Sequence, residues 1–255
     1  NMKKNKLKKV FIFLFSFLFI ASATVAGGVL LSGSSYSVPV SESSGEEIQD
    51  NENLTNVTAN ATEPLNDGNW TDSGNYDTTF AGGTGTESDP YLISTARQLA
   101  GLAYWTNIST STTYNGSGVY YRQTADIDLS AYWWDAIGTN ASSTYYFQGH
   151  YDGGAHTVSG VFTQAGSTST YNHQGFFGYV RGTSSTNRAE ISNIGVINSN
   201  IQGYQYVGGI VGYSYYANIT NCYNTSSVTG SASYVGGIVG YNYSSSTVTN
   251  SYNIG

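Results

Sequence analysis

The feature that most constrains this chain is an internal repeat. The octet Tyr206-Val-Gly-Gly-Ile-Val-Gly-Tyr213 recurs 28 residues later as Tyr234-Val-Gly-Gly-Ile-Val-Gly-Tyr241. Ile219-Thr-Asn-Cys-Tyr-Asn224 returns as Val248-Thr-Asn-Ser-Tyr-Asn253 at an offset of 29. A weaker copy comes earlier, as Gly175-Phe-Phe-Gly-Tyr179 and then Ile191-Ser-Asn193. A fixed period of this length signals units that bury their apolar face only against their neighbours. Each unit holds short β-type runs separated by Gly, Ser and Asn, with no room for a helix. One unit therefore reads as one turn of a β-solenoid, its strands paired to the next turn at about 4.8 Å. In that register Val207 lies over Val235, Ile210 over Ile238 and Ile219 over Val248, as interior rows. Gly208, Gly209 and Gly212 and their copies would allow close corners or turns with positive φ. Asn193, Asn221 and Asn250 would stack at one turn, their amides bonded from coil to coil.

Composition supports an all-β body. Gly (31) and Tyr (23) are abundant, and charged residues make up 10% of the chain, against roughly 25% in ordinary globular proteins. All five lysines lie at positions 3–9. The rest of the chain sets four arginines (Arg97, Arg122, Arg181, Arg188) against sixteen acids, a formal −12. Phosphate recognition needs dense cationic surface, so nucleic acid is set aside as a partner. Cys222 is the single cysteine and excludes an internal disulfide.

Along the chain, residues 1–26 read as a signal peptide: a basic start, an apolar run over 10–20, and small residues at 21–23. The other reading is an uncleaved anchor, because residues 25–31 prolong the apolar stretch. Either way the membrane is engaged only through this segment. Residues 27–79, rich in Ser, Asn and Glu, read as a disordered spacer. Residues 80–173 would form a cap and the first coils, and 174–255 the repeat coils. In the cap, 91–93 reads as a strand, and Ser94 or Thr95 as the N-cap of a short helix with Leu99, Leu102 and Ala103 on its apolar face. Residues 120–124 and 127–129 read as further strands. The chain stops inside a repeat, so more coils, a wall anchor or an effector domain are expected beyond Gly255.

These repeat units resemble the GLUG-type repeat of bacterial surface proteins, which also occurs in the non-catalytic part of some immunoglobulin-A1 proteases. The upstream stretches Asp89-Pro-Tyr-Leu-Ile-Ser-Thr95, Ala125-Asp-Ile-Asp-Leu129 and Phe147-Gln-Gly-His-Tyr-Asp-Gly-Gly154 resemble the region that precedes such repeats. The resemblance covers about 82–255. It implies a right-handed parallel β-helix with an N-terminal cap, and a secreted or cell-surface location. It transfers no catalytic residue.

Candidate sites are few. Asp126, Asp128 and Asp152 could hold Ca²⁺ or act as glycosidase acids, but read better as turn and cap acids, Asp152-Gly153 being a common hairpin turn. His150, His156 and His173 lack zinc spacing and read as surface residues; Cys222 reads as a buried, inert thiol. No catalytic residue, cofactor or metal site is assigned. The tyrosines recur in pairs: Tyr206 with Tyr234, Tyr213 with Tyr241, Tyr215 with Tyr243, and Tyr223 with Tyr252. Such rows could stack on a glycan or dock a host or cell-surface protein, or could only zip one coil to the next. The expected function is a non-catalytic stalk or adhesin-like module. The alternative is a β-helical polysaccharide lyase or glycoside hydrolase, which would need Asp126, Asp128, Asp152 and Glu190 to share one groove. An ice-binding face would need Thr-x-Thr at each coil, and the repeats do not supply it.

Overall fold

A computed structural model of the chain describes residues 63–109, 111–139 and 144–255. The signal segment and most of the expected spacer lie outside the described residues. Strands dominate the described residues: β1 (Tyr91–Ile93), then their one α-helix, α1 (Ala96–Asn107), then β2 (Tyr120–Gln123), β3 (Ile127–Asp128), β4 (His150–Asp152) and β5 (Thr157–Ser159). A short 3₁₀ turn at Ser169–Tyr171 precedes β6 (Phe177–Arg181), β7 (Ala189–Ser192), β8 (Gly195–Ile197) and β9 (Asn200–Gly203). The next coil holds β10 (Val207–Gly208), β11 (Val211–Tyr215), β12 (Ala217–Thr220), β13 (Tyr223–Asn224) and β14 (Ser227–Gly230). The last holds β15 (Val235–Gly236), β16 (Val239–Tyr243), β17 (Thr247–Thr249) and β18 (Tyr252–Asn253).

Every ladder between these strands is parallel and joins one coil to the next, which makes the body a β-solenoid. The longest sheet runs β1-β2-β4-β7-β12-β17; a second runs β18-β13-β8-β5-β3, and a third β16-β11-β6. Val207 faces Val235 and Ile219 faces Val248 across their ladders. The interior row of the longest sheet is Tyr121, Tyr151, Ile191, Ile219 and Val248. Burial follows the stacking: Val207 and Ile219 are fully covered, whereas Val235 (42%) and Val248 (38%) in the last coil are exposed.

The expected asparagine ladder forms between Asn193 and Asn221 and is continued by Asp152 rather than by Asn250. Asn221 Nδ2 donates to Asn193 Oδ1 at 3.0 Å, and Asn193 Nδ2 donates to Asp152 Oδ1 at 2.9 Å. Asn193, Asn221 and Asn250 all hold φ near +50°, a region that Asn tolerates better than most residues. The repeat glycines do something narrower than expected, because none of Gly208, Gly209 and Gly212 has positive φ. They permit close approach instead: a Cβ on Gly209 would lie 2.2 Å from the Gly237 carbonyl oxygen of the next coil.

In the cap, Thr95 accepts a hydrogen bond from Gln98 N at 3.2 Å and starts α1, as the N-cap pattern predicts. Leu99, Leu102 and Ala103 enter the same core as Ile93, Tyr121 and Ile137. Part of the spacer expected over 27–79 is instead tied to the cap by backbone hydrogen bonds and by the buried Trp70. Leu65, Asn66 and Trp70 donate backbone N–H groups to Ser130, Ala131 and Trp133. The Trp70 ring is buried, and its Nε1 donates to the Leu129 carbonyl at 2.8 Å. Arg97 on α1 ties down this segment through Asp77 and the Tyr76 carbonyl.

Candidate functional site

The tyrosine rows are where the structure gathers the most side chains of one kind. Strands alternate side-chain direction, so Tyr179 on β6, Tyr213 on β11 and Tyr241 on β16 project outward from the three-stranded sheet as one column. Two residues further along, Arg181, Tyr215 and Tyr243 form a second column. Tyr206 and Tyr234, at the corner before each coil, form a third beside them, with ring centroids 5.1 Å apart and planes 1° from parallel. Cross-column contacts fuse the set: Tyr206 lies 5.3 Å from Tyr213, and Tyr241 lies 5.7 Å from Tyr243. Arg181 sits between Tyr146 and Tyr215, 4.9 and 5.2 Å from their ring centres, a cation–π clamp. Three of the four tyrosine pairs thus share one wall. Tyr223 and Tyr252 also stack, at 5.4 Å and 7°, but from β13 and β18 of a different sheet.

The wall contains a member that the sequence reading misplaced. His173, expected on the surface, is 6% exposed and stacks on Tyr206 at 4.9 Å and 19°. It holds positive φ (57°), like Tyr206 (59°) and Tyr234 (67°), and so is the first rung of the same column. Burial lowers its pKa to about 4, which keeps the ring neutral near neutrality. Burial and the neighbouring Tyr179 and Tyr241 raise Tyr213 to about 12. With His173 on one face and Tyr234 on the other, the Tyr206 ring has no face free for a ligand. Inside the column the wall presents ring edges and hydroxyls.

The four acids do not share one groove. Asp126 and Asp128 flank Ile127 on the sheet that holds β3, where Asp126 accepts from Thr157 N at 2.8 Å and lies 3.4 Å from His156 Nδ1. The Thr157 N–H holds the Asp126 carboxyl below its ordinary range. Asp152 and Glu190 instead sit on β4 and β7 of the longest sheet and line a common cavity. Asp152 is a turn acid but not in a hairpin: it ends a strand paired in parallel on both sides and accepts from Gly154 N at 2.9 Å. His150 is half-buried beneath Tyr120, with rings 4.2 Å apart, and Nδ1 is 3.4 Å from Glu190. Cys222 is 1% exposed, and burial raises its thiol to about 11, as an inert thiol requires. Among the described residues, no three His, Cys, Asp or Glu side chains are grouped so as to hold a metal ion.

Sequence reasoning missed two concavities. One, of about 410 Å³, is lined by Trp133, Tyr171, His173 and Asp135; burial pushes the Asp135 carboxyl up, while Thr71 and Asn69 donate to it. The other runs along the outer face of the longest sheet. The strand order places Tyr120, His150, Glu190, Asn218 and Thr247 in one outward column, with Arg122, Asp152, Ser192, Thr220 and Thr249 in the next.

The GLUG motif matches residues 203–229 and 231–255. The chain carries two GLUG motifs. They correspond to the coil that opens at β10 and the one that opens at β15, and β6 to β9 form a coil in register beneath them. A candidate Gly-rich membrane protein of Evansella cellulosilytica is 35% identical over 107 residues, 40% of this chain. The chain spans only 11% of that relative's length. The crystal structure of a candidate immunoglobulin A1 protease from Bacteroides ovatus aligns with a TM-score of 0.45 at 20% identity, covering 68% of this chain and 59% of that one.

Proposed function

We propose that this chain is an exported, non-catalytic module of a bacterial cell-surface protein, in which the GLUG solenoid serves as a stiff stalk that also makes adhesive contacts. Residues 1–26 act as the signal peptide, and the segment up to the first packed residues near 63 acts as a tether. The observation that carries the reading is the in-register stacking of coils, which delivers the same Tyr, Asn, Ser and Thr side chains at each turn. A rod grows by such repetition, whereas an enzyme needs unlike groups converging on one reacting atom. The separation of Asp126 and Asp128 from Asp152 and Glu190 weighs against the lyase alternative, and the membrane-protein relative agrees with a surface setting. The aromatic wall, with its clamped arginine, is the adhesive surface, and its hydroxyl edges suit a glycan or a protein partner.

The direct test labels intact producing cells with antibody raised against residues 63–255. Surface labelling that is lost after brief external proteolysis is expected. Signal that appears only after the cells are opened would remove the proposal.

A further inference from the structure

The outer face of the longest sheet carries a groove that the stalk reading does not use. Three cavities of about 210, 320 and 370 Å³ lie along it, and Glu190 lines all of them. Tyr120 and His150 line both the first and the second. Ser192 joins the first to the third, and Asn218 joins the second to the third. The three therefore adjoin one another, as a trough along successive strands from β2 to β17.

Its lining is polar and already organised. Asn218 sits at the centre: its Oδ1 accepts from Arg188 at 3.0 Å and from Thr247 Oγ1 at 2.9 Å, and its Nδ2 lies 3.4 Å from Glu190 Oε1. The Thr220 and Thr249 hydroxyls are 3.1 Å apart on the next column. The side chains remain accessible, with Glu190 51% and Arg122 55% exposed. Both arginines in the trough are engaged, Arg122 beside Asp152 at 3.9 Å and Arg188 on Asn218 and the Ser185 carbonyl. The acids Glu87, Asp152 and Glu190 outnumber the two arginines, which disfavours an anionic ligand. Carboxylates, amides and hydroxyls at a strand spacing of about 4.8 Å suit a ligand that offers a hydroxyl donor at every step of an extended chain. The Tyr120–His150 stack, with rings 4.2 Å apart, adds ring edges to the same lining.

We infer that this trough binds an uncharged polysaccharide, lying across the strands and parallel to the solenoid axis, with Glu190 and Asn218 as its central hydrogen-bonding pair. The inference rests on the adhesive reading for its biological sense but uses a different sheet from the aromatic wall, so the two can fail separately.

The test is native gel electrophoresis of the full chain through gels that contain a soluble uncharged β-glucan, polygalacturonate or chitosan. Retardation in the β-glucan gel is expected, with little in polygalacturonate. Replacing Glu190 by Gln together with Asn218 by Ala should weaken retention at least tenfold. Thr220→Arg, an outward change that lays a long side chain across the trough, should do the same with an unchanged melting temperature. Leu65→Ser, an exposed position outside both the trough and the aromatic wall, should leave retention unaltered. No retardation by the β-glucan, stronger retention by polygalacturonate or by chitosan, or retention indifferent to Thr220→Arg would each overturn the inference. Loss of surface labelling with β-glucan retention intact would overturn the stalk reading alone.

Discussion

Two parts of this molecule solve the same packing problem in opposite ways. In the cap and first coils, 63–173, the interior is filled by large side chains that occur once. Trp70 and Trp134 each send an indole N–H to a carbonyl, of Leu129 and Phe176 respectively, and Phe147 and Tyr151 pack on the ring of Phe177 in the coil above. In the coils from β10 onward, 207–255, the interior is thin, built from Val, Ile and glycines whose backbones nearly touch. The cap gains its stability from unique contacts, so one lost ring there has no substitute. The coils gain theirs from repetition, so each residue depends on the coil above it. Val207 and Val235 occupy the same position and differ only in whether a coil covers them.

The sharpest way to break this comparison is to truncate one residue in each part. Trp134→Ala should cost about 3–5 kcal/mol, and it also removes one of the two donors to the Phe176 carbonyl, leaving the Ile137 N–H. Val235→Ala, at an exposed position, should cost under about 1 kcal/mol; urea denaturation of the full chain reads both, and equal losses would erase the distinction.

Next in size is a pH effect at His173, where cap meets coils. Its folded pKa, about 4, lies below the ordinary 6.5, so the unfolded chain binds the proton more readily. The neutral ring's contribution is complete above pH 6.5 and is lost as pH falls towards 4, by at most about 3 kcal/mol. Melting curves across that window should show the loss in the native chain, and His173→Phe should flatten it.

Glycines give a contrast of about 1–3 kcal/mol. Gly209→Ala drives a methyl into the Gly237 carbonyl and should be destabilising by that amount. Gly118→Ala in the cap, where no heavy atom lies within 4 Å, should be nearly silent in the same assay. A smaller effect is expected at Asn221, where φ is +56°. Asn221→Ala loses the ladder bond and strains the backbone, at about 1 kcal/mol. Asn221→Gly keeps the conformation and should cost less. The order reverses if the turn does not need its left-handed backbone.

How much of this was legible in the sequence depends on the kind of contact. Rows such as Val207 over Val235 were readable because translation along the solenoid copies itself into the spacing of residues. The start of α1 was readable because Thr95 and Gln98 are neighbours. The packing of 63–79 was not, since a composition argument averages over a segment and cannot see Trp70 reaching Leu129. His173 was missed because it precedes Tyr206 by 33 residues, outside the period of 28, so its role as first rung is hidden by the extra length. Asn224 and Asn253 repeat plainly, yet polar residues are expected to face outward. Asn224 is fully buried and satisfied by Ser226 and by Asn253 Oδ1 at 2.8 Å. The trough was illegible for a related reason: Tyr120, His150, Glu190 and Asn218 are unlike residues at unequal spacings, and only the strand order aligns them.

In-register stacking of successive coils can be tested by cross-linking. In a Cys222→Ser background, which installs the residue found at Ser251 in the next copy, Thr220 and Thr249 are replaced together by cysteine. Parallel neighbours lie about 4.8 Å apart, inside the roughly 4.4–6.8 Å span of disulfide Cα atoms. Mild oxidation should join this pair within one chain, detected as a single cross-linked peptide by mass spectrometry, while a pair at Thr220 and Ser244 stays reduced. Failure of the first pair to close, or closure of the second in its place, would mean that the repeats do not lie one upon the next.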